Sequence, residues 1–278
     1  MRLATIRTAE GTSAVRLEGD RHLHLGFPDV GALLADPGWP DLAQTPDVTS
    51  SPASGADFAP VVPRPAKIIC VGHNYTGHIR EMGRELPEYP TLFTKFADSL
   101  LGAHDDIAKP SETEALDWEV ELAVVIGRSV RRADEAEAVA AIAGFTVMND
   151  ISVRDWQFRT IEWTQGKIWD SSTPLGPYLV TPDELDGGVR PDLMVRTLVG
   201  GEAMQEDRTG TLLFNPVDLV RYVSTIVRLN PGDIIATGTP AGVGHAREPR
   251  RYLNDGDVVA THIEGIGGCR NLIVGARP

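Results

Sequence analysis

The run Leu116-Asp117-Trp118-Glu119-Val120-Glu121-Leu122-Ala123-Val124-Val125-Ile126-Gly127 constrains this chain more than any other stretch. Its apolar, β-branched residues have strand length and end in a glycine, so it reads as a buried strand. Two carboxylates, Glu119 and Glu121, interrupt it. Residues two apart on a strand project from one face, near enough to share a ligand. Burying such a pair is costly unless a cation lies between the groups or one is protonated. On an exposed edge face both would simply be solvated. Trp118, Leu122 and the Val-Val-Ile run argue for burial, and burial argues for a divalent cation.

A chain of 278 residues has room for one large domain and a small one. Its 26 basic and 39 acidic residues give a net charge of −13, which disfavours nucleic acid or an anionic membrane as partner. An anionic substrate would therefore need local cations. No apolar run approaches membrane-spanning length, and Met1-Arg2-Leu3-Ala4-Thr5 lacks a signal-peptide core. Cys70 and Cys269 fit a reducing cytoplasm and read as small core residues.

Residues 1–26 alternate short β-like runs with turns, predicting a small antiparallel sheet. Residues 36–66 are rich in Pro, Ser, Ala, Asp and Gly and read as a linker or wrapping segment. The boundary falls there: residues 1–65 form a small N-terminal β domain with its linker, and residues 66–278 the larger domain. Lys67-Ile68-Ile69-Cys70-Val71-Gly72 is a short buried strand delivering His73-Asn74-Tyr75 and then His78 and Glu81. At a spacing of three on one helical turn, Glu81 can orient the His78 imidazole; from spacing alone a solvated turn is the plainer reading. Thr91-Leu92-Phe93-Thr94-Lys95-Phe96 alternates as a strand. The spacing predicts a surface helix over residues 131–144. The strand Phe145-Thr146-Val147-Met148 ends in Asn149-Asp150, making Asp150 a third candidate carboxylate, and Ser152 is a plausible cap for a short helix. Gly200-Gly201 signals a hairpin within residues 193–205. Asn215-Pro216 opens a helix running to Val227. Thr237-Gly238-Thr239-Pro240-Ala241-Gly242-Val243-Gly244 offers backbone N–H groups and hydroxyls suited to an anion.

Six segments, in this order, resemble the fumarylacetoacetate hydrolase (FAH) family. They are Gly72-His73-Asn74-Tyr75 with His78 and Glu81, Phe93-Thr94-Lys95, Asp117 through Leu122, Asn149 through Asp155, Gly166-Lys167 through Gly176-Pro177, and Pro231-Gly232-Asp233 through Gly244. The resemblance covers roughly residues 66–275; residues 1–60 carry no specific match. It implies an α+β fold, a β-rich roll of mixed sheets with a small N-terminal β domain, and a homodimer. It also implies that Glu119, Glu121 and Asp150 hold one Mg²⁺ or Mn²⁺, which suits an all-oxygen site. His78 and Glu81 match the family's acid/base dyad, and Lys167 the lysine beside the reacting oxygen. Thr239 matches the threonine that holds substrate oxygen, and Tyr75, Lys95, Arg154 and Gln157 join it as substrate-binding residues. Position 73 varies in such proteins, so His73 is left unassigned.

The implied chemistry is that of a small anionic 2-oxo acid, which can chelate the metal through its carboxylate and 2-keto oxygen. The metal then stabilises an enolate. With an acyl group at C3, water activated by His78 cleaves the C–C bond; with a carboxylate there, loss of CO₂ gives the same enolate. Because a His–Glu dyad suits an activated water, hydrolysis of an acylpyruvate such as fumarylpyruvate is the preferred expectation. Oxaloacetate decarboxylation, isomerisation of a 2-hydroxy-dienedioate and 2-oxo-acid binding without turnover are the alternatives.

Overall fold

Val120–Ile126, buried along its whole length, is the strand around which the main sheet is built. The computed structural model describes residues 1–45, 49–81 and 85–275, without the side chains of His78, Arg80 and Glu81. Val120–Ile126 pairs antiparallel with Ile142–Asn149 on one side and Ile234–Ala236 on the other. Beyond Ile234–Ala236 lie Ile68–Gly72, parallel to it, and Thr91–Lys95. Beyond Ile142–Asn149, Thr173–Val180 pairs with Arg2–Thr8, so the N-terminal strands Gly11–Glu18, Arg21–His24 and Ser50–Pro52 extend the same sheet. A five-stranded sheet packs beside it, including the hairpin Met194–Val199 and Glu202–Arg208, whose turn places Gly200 and Gly201 at φ 58° and 87°. The whole is a β-rich roll of mixed sheets with few helices.

Both faces of the central strand are covered, which is why its sequence is nearly continuous in apolar residues. Val120, Leu122, Val124 and Ile126 enter a core that includes Val217, Val220 and Val223 of the helix Pro216–Ile226 and Val195 and Ile263 of the second sheet. Ala123 and Val125 face the opposite core, which Val30, Leu33 and Leu34 of the N-terminal helix Val30–Leu34 close. Alternation along the strand puts Glu121 on that second face. Among the described residues, no helix is long and apolar enough to cross a membrane.

Two local expectations are corrected. The helix expected over residues 131–144 spans only Glu135–Ala141, held by a capping box of Asp134 and Glu137. Ile142, Ala143 and Gly144 belong instead to the strand Ile142–Asn149. Gly144 marks close packing, not a helix end: a Cβ there would lie 2.3 Å from the Val180 carbonyl oxygen. Gly144→Ala is therefore expected to cost about 1–3 kcal/mol by overpacking, read as a Tm lower by roughly 2–12 °C; an unchanged Tm would contradict this packing. Ser152 does not cap a helix. It lies in the strand Ser152–Val153, its hydroxyl donates to the Asp150 carbonyl at 2.9 Å, and the short helix Arg154–Gln157 has Val153 at its N-cap.

Candidate active site

Antiparallel pairing of Val120 with Asn149 brings the start of one strand beside the end of the other. Glu119 directly precedes the strand Val120–Ile126, Glu121 is its second residue, and Asp150 follows Ile142–Asn149. One ligand oxygen from each of these three carboxylates lies within 4.8 Å of the others, and all three side chains are buried. Backbone bonds fix the junction: the Asp150 N–H donates to the Glu119 carbonyl at 2.8 Å, and the Glu119 N–H to Asn149 Oδ1 at 3.0 Å. Glu121 Oε2 accepts from the Gly238 N–H at 2.8 Å. The Gly/Thr loop thus spends this N–H on a protein carboxylate.

Three buried cations answer the cluster. Lys167 Nζ donates to Glu119 Oε2 at 2.7 Å and Asp150 Oδ2 at 2.8 Å. Lys95 Nζ lies 2.8 Å from Asp150 Oδ1 and is tied to the carbonyls of Ile151 and Lys167. Arg154 donates from Nε to Asp117 Oδ2 and from Nη1 to Gln157 Oε1, both at 2.8 Å, with Nη2 2.7 Å from Glu119 Oε1. Burial pushes the Glu119 carboxyl up, but Lys167 and Arg154 outweigh it and hold the group at about 2. Burial, reinforced by Asp150 and Glu119, instead drives the Glu121 carboxyl well above the carboxylate range. Burial pulls the Lys167 ammonium down, yet Asp150 and Glu119 raise it on balance, so it stays charged.

The donor set fits a hard divalent cation. Asp117, Glu119, Glu121 and Asp150 place four carboxylates against Lys95, Arg154 and Lys167, leaving one negative charge in excess. A proton on Glu121 neutralises that excess without metal. A divalent ion turns it into one positive charge, which suits an anionic ligand. Metal and proton therefore compete for Glu121, and binding should release a proton. Below the raised Glu121 pKa, Mg²⁺ affinity is expected to rise by up to about tenfold per pH unit, levelling off above it. Calorimetry in buffers of different ionisation enthalpy, run across the pH range in which affinity rises, measures the proton count; zero protons released in that range would contradict this.

A cavity of about 590 Å³ opens onto the cluster. Glu119, Glu121, Arg154, Gln157, Lys167 and Thr239 line it. The Thr239 hydroxyl is already engaged: it donates to the Val120 carbonyl at 3.0 Å and accepts from Gln205 Nε2 at 2.8 Å. Tyr75 and Lys95, expected to touch substrate, are not among the lining residues. Lys95 holds Asp150 from behind, and the Tyr75 hydroxyl is buried with no hydrogen-bond partner among the described residues. His78 and Glu81 fall in the helix Thr76–Glu81, but their side chains lie outside the described residues.

Sequence reasoning missed the supports. Asp117 accepts from Arg154, from the Trp118 and Gly244 N–H groups through Oδ1, and from the His245 N–H through Oδ2, tying the segment that leads into Glu119 to the end of the Gly/Thr loop. Asn74 bridges Phe214 and Thr237. Gln205 bonds the Val120 N–H, Thr197 and Thr239. The only sequence signal for Asp117 was its place in the Asp-Trp-Glu-Val-Glu run.

Residues 67–274 match the family described as fumarylacetoacetate (FAA) hydrolase C-terminal. The chain belongs to the fumarylacetoacetate hydrolase family. It is 42% identical over 225 residues to the mitochondrial oxaloacetate tautomerase FAHD2A of Homo sapiens, covering 80% of this chain and 71% of that protein. A putative HpcE protein from Mycobacterium smegmatis superposes over 100% of both chains with a TM-score of 0.90 at 34% identity. The 2-hydroxyhepta-2,4-diene-1,7-dioate isomerase of Mycobacterium marinum also matches over 100% of both chains, with a TM-score of 0.79 at 31% identity. The chain is thus an FAH-family enzyme with a buried acidic triad able to hold a divalent metal. Family membership does not single out C–C hydrolysis.

Proposed function

We propose that this FAH-family enzyme interconverts the keto and enol forms of a small 2-oxo diacid, with oxaloacetate as the type substrate. The likeness to the oxaloacetate tautomerases carries this reading, since 42% identity across 80% of the chain exceeds the 31% shared with the dienedioate isomerase. It displaces hydrolysis, which the His78–Glu81 pair alone had favoured.

Glu119, Glu121 and Asp150 would hold Mg²⁺ or Mn²⁺, whose role when bound is to polarise the 2-oxo group and favour negative charge on its oxygen. Lys167, charged and on the cavity wall, supplies a hydrogen-bond donor for the 2-oxygen as that charge develops. Arg154, fixed by Asp117 and Gln157, presents a cationic wall to the substrate carboxylate. Ketonisation trades the enol O–H bond for a new C3–H bond. In this reading the His78–Glu81 dyad carries the proton at C3. A homodimer in the cytoplasm completes the proposal, in keeping with two buried free cysteines.

Hydrolytic cleavage of an acylpyruvate such as fumarylpyruvate is the second reading, favoured by a cavity of about 590 Å³, which is roomy for a four-carbon diacid. The Mg²⁺-loaded protein should be assayed in parallel for enol-oxaloacetate ketonisation and for acetylpyruvate and fumarylpyruvate hydrolysis. Ketonisation is expected to lead in kcat/KM by at least tenfold, ~1.4 kcal/mol of transition-state preference. Faster hydrolysis of either acylpyruvate would reverse the assignment.

A further inference from the structure

The outer half of the cavity is built differently from its carboxylate floor. Phe93, Phe158, Ile161 and Trp163 line it, with His73 and His245. Phe158 and Ile161 are 56% and 96% exposed, an unusual display of large apolar side chains at the mouth of a polar site. The Trp163 ring meets the His73 ring edge-on at 5.1 Å and the Phe93 ring at 5.5 Å. The His245 ring lies 5.1 Å from the Phe158 ring at a 37° tilt.

His245 is held in place twice. Its backbone N–H donates to Asp117 Oδ2 at 2.9 Å, and its Nδ1 sits 2.9 Å from the Tyr252 hydroxyl. Burial, with Arg154 and Arg250 nearby, lowers its pKa, so the ring is neutral at pH 7. Because Tyr252 engages Nδ1, Nε2 is the nitrogen left for a ligand, a donor when the Tyr252 hydroxyl donates to Nδ1 and an acceptor when it accepts from it. A positioned imidazole nitrogen beside aromatic faces is a recognition element for a flat ring carrying a hydroxyl, which can both donate and accept.

We propose that this outer half is a second substrate subsite, in which His245 and the Phe158–Trp163 wall receive the ring of an arylpyruvate whose 2-oxo-acid end lies at the carboxylate cluster. The inference rests on the keto–enol reading, and arylpyruvates undergo the same interconversion: the enol O–H bond is exchanged for a C3–H bond with no co-reactant. The size of the cavity agrees, since about 590 Å³ is in the range that encloses a drug-sized ligand. Edge-to-face contacts with a flat ring would favour an aryl group over an aliphatic one of similar bulk.

The test is calorimetry on the Mg²⁺-loaded protein with oxalate, pyruvate, 4-methyl-2-oxopentanoate, phenylpyruvate and 4-hydroxyphenylpyruvate, alongside tautomerase assays on the two arylpyruvates and oxaloacetate. Both arylpyruvates should bind at least tenfold more tightly than pyruvate and the branched aliphatic acid, and both should be turned over. Phe158→Ala should weaken both arylpyruvates several-fold. His245→Ala should weaken 4-hydroxyphenylpyruvate about tenfold, with Tyr252→Phe intermediate and His245→Gln partly restoring it. Oxalate, which fills only the inner site, should bind all variants like the parent protein. Arylpyruvates binding no better than the aliphatic acid, or His245→Ala weakening oxalate equally, would overturn the subsite. Tight arylpyruvate binding without turnover of any of the three substrates would support the subsite and overturn the keto–enol reading.

Discussion

Glu121→Gln should bind Mg²⁺ at least 100-fold more weakly than the parent protein and lose at least 1000-fold in kcat/KM, ~4 kcal/mol of transition-state stabilisation. The substitution keeps shape and leaves the Gly238 N–H an amide oxygen to donate to, but removes the charge a metal requires. The same change should leave the metal-free protein as stable as before, or slightly more so. Burial together with Asp150 and Glu119 raises the Glu121 carboxyl and so favours its neutral form there, which a neutral amide resembles. Thermal melts with and without Mg²⁺ separate the two effects: the parent protein should be stabilised by the ion and Glu121→Gln should not. Undiminished Mg²⁺ stabilisation of the variant would remove Glu121 from the metal site.

Lys167→Met should behave in the opposite way toward the metal. Lys167 bridges Glu119 and Asp150 at 2.7 and 2.8 Å with 2% of its side chain exposed, so removing it leaves two buried carboxylates short of a counter-charge. Breaking a buried ion pair from one side costs about 3–5 kcal/mol, so the metal-free variant should melt some 6–15 °C lower. Mg²⁺ should recover much of that loss and bind at least as tightly as before, because the ammonium no longer competes for the same oxygens. Activity should not recover with it. Without the donor at the 2-oxygen, kcat should fall about 100- to 1000-fold, the usual effect of deleting one oxyanion donor. Loss of Mg²⁺ affinity in Lys167→Met would mean that the lysine assembles the carboxylates and has no separate role at the substrate.

What could be read in advance divides along the range of the interactions. Glu119 and Glu121 were legible because alternation and burial act over a few residues, and Asp150 because it terminates an apolar strand. The capped helix at Asn215-Pro216 and the Gly200-Gly201 hairpin were legible for the same reason: their signals are local. Lys95, Arg154 and Lys167 carry no such local signal, and only the family resemblance pointed to them. Lys167 reaches Glu119 across 48 positions and Arg154 reaches Asp117 across 37, so only the assembled sheet brings them together. The misread helix over residues 131–144 shows the same limit. Its Ala-rich run has helical spacing, yet pairing with Val120–Ile126 claims Ile142 to Gly144 for the sheet. The Gly/Thr loop looked like an anion cradle, whereas one of its N–H groups is occupied by Glu121 and the Thr239 hydroxyl by Val120 and Gln205.

Deuterium incorporation at C3 of oxaloacetate tests the central claim most directly. Enol-oxaloacetate is ketonised in D₂O by the Mg²⁺-loaded protein, the product is trapped at once as malate by reduction, and the C3 label is read by proton NMR. If the carboxylate cluster holds the metal and the protein delivers the proton to one face of C3, malate should carry a single deuterium in one configuration. Chelation of the metal, or Glu121→Gln, should return both rate and stereochemistry to the uncatalysed background. A racemic label at C3, or a stereospecific one that survives chelation, would contradict the account.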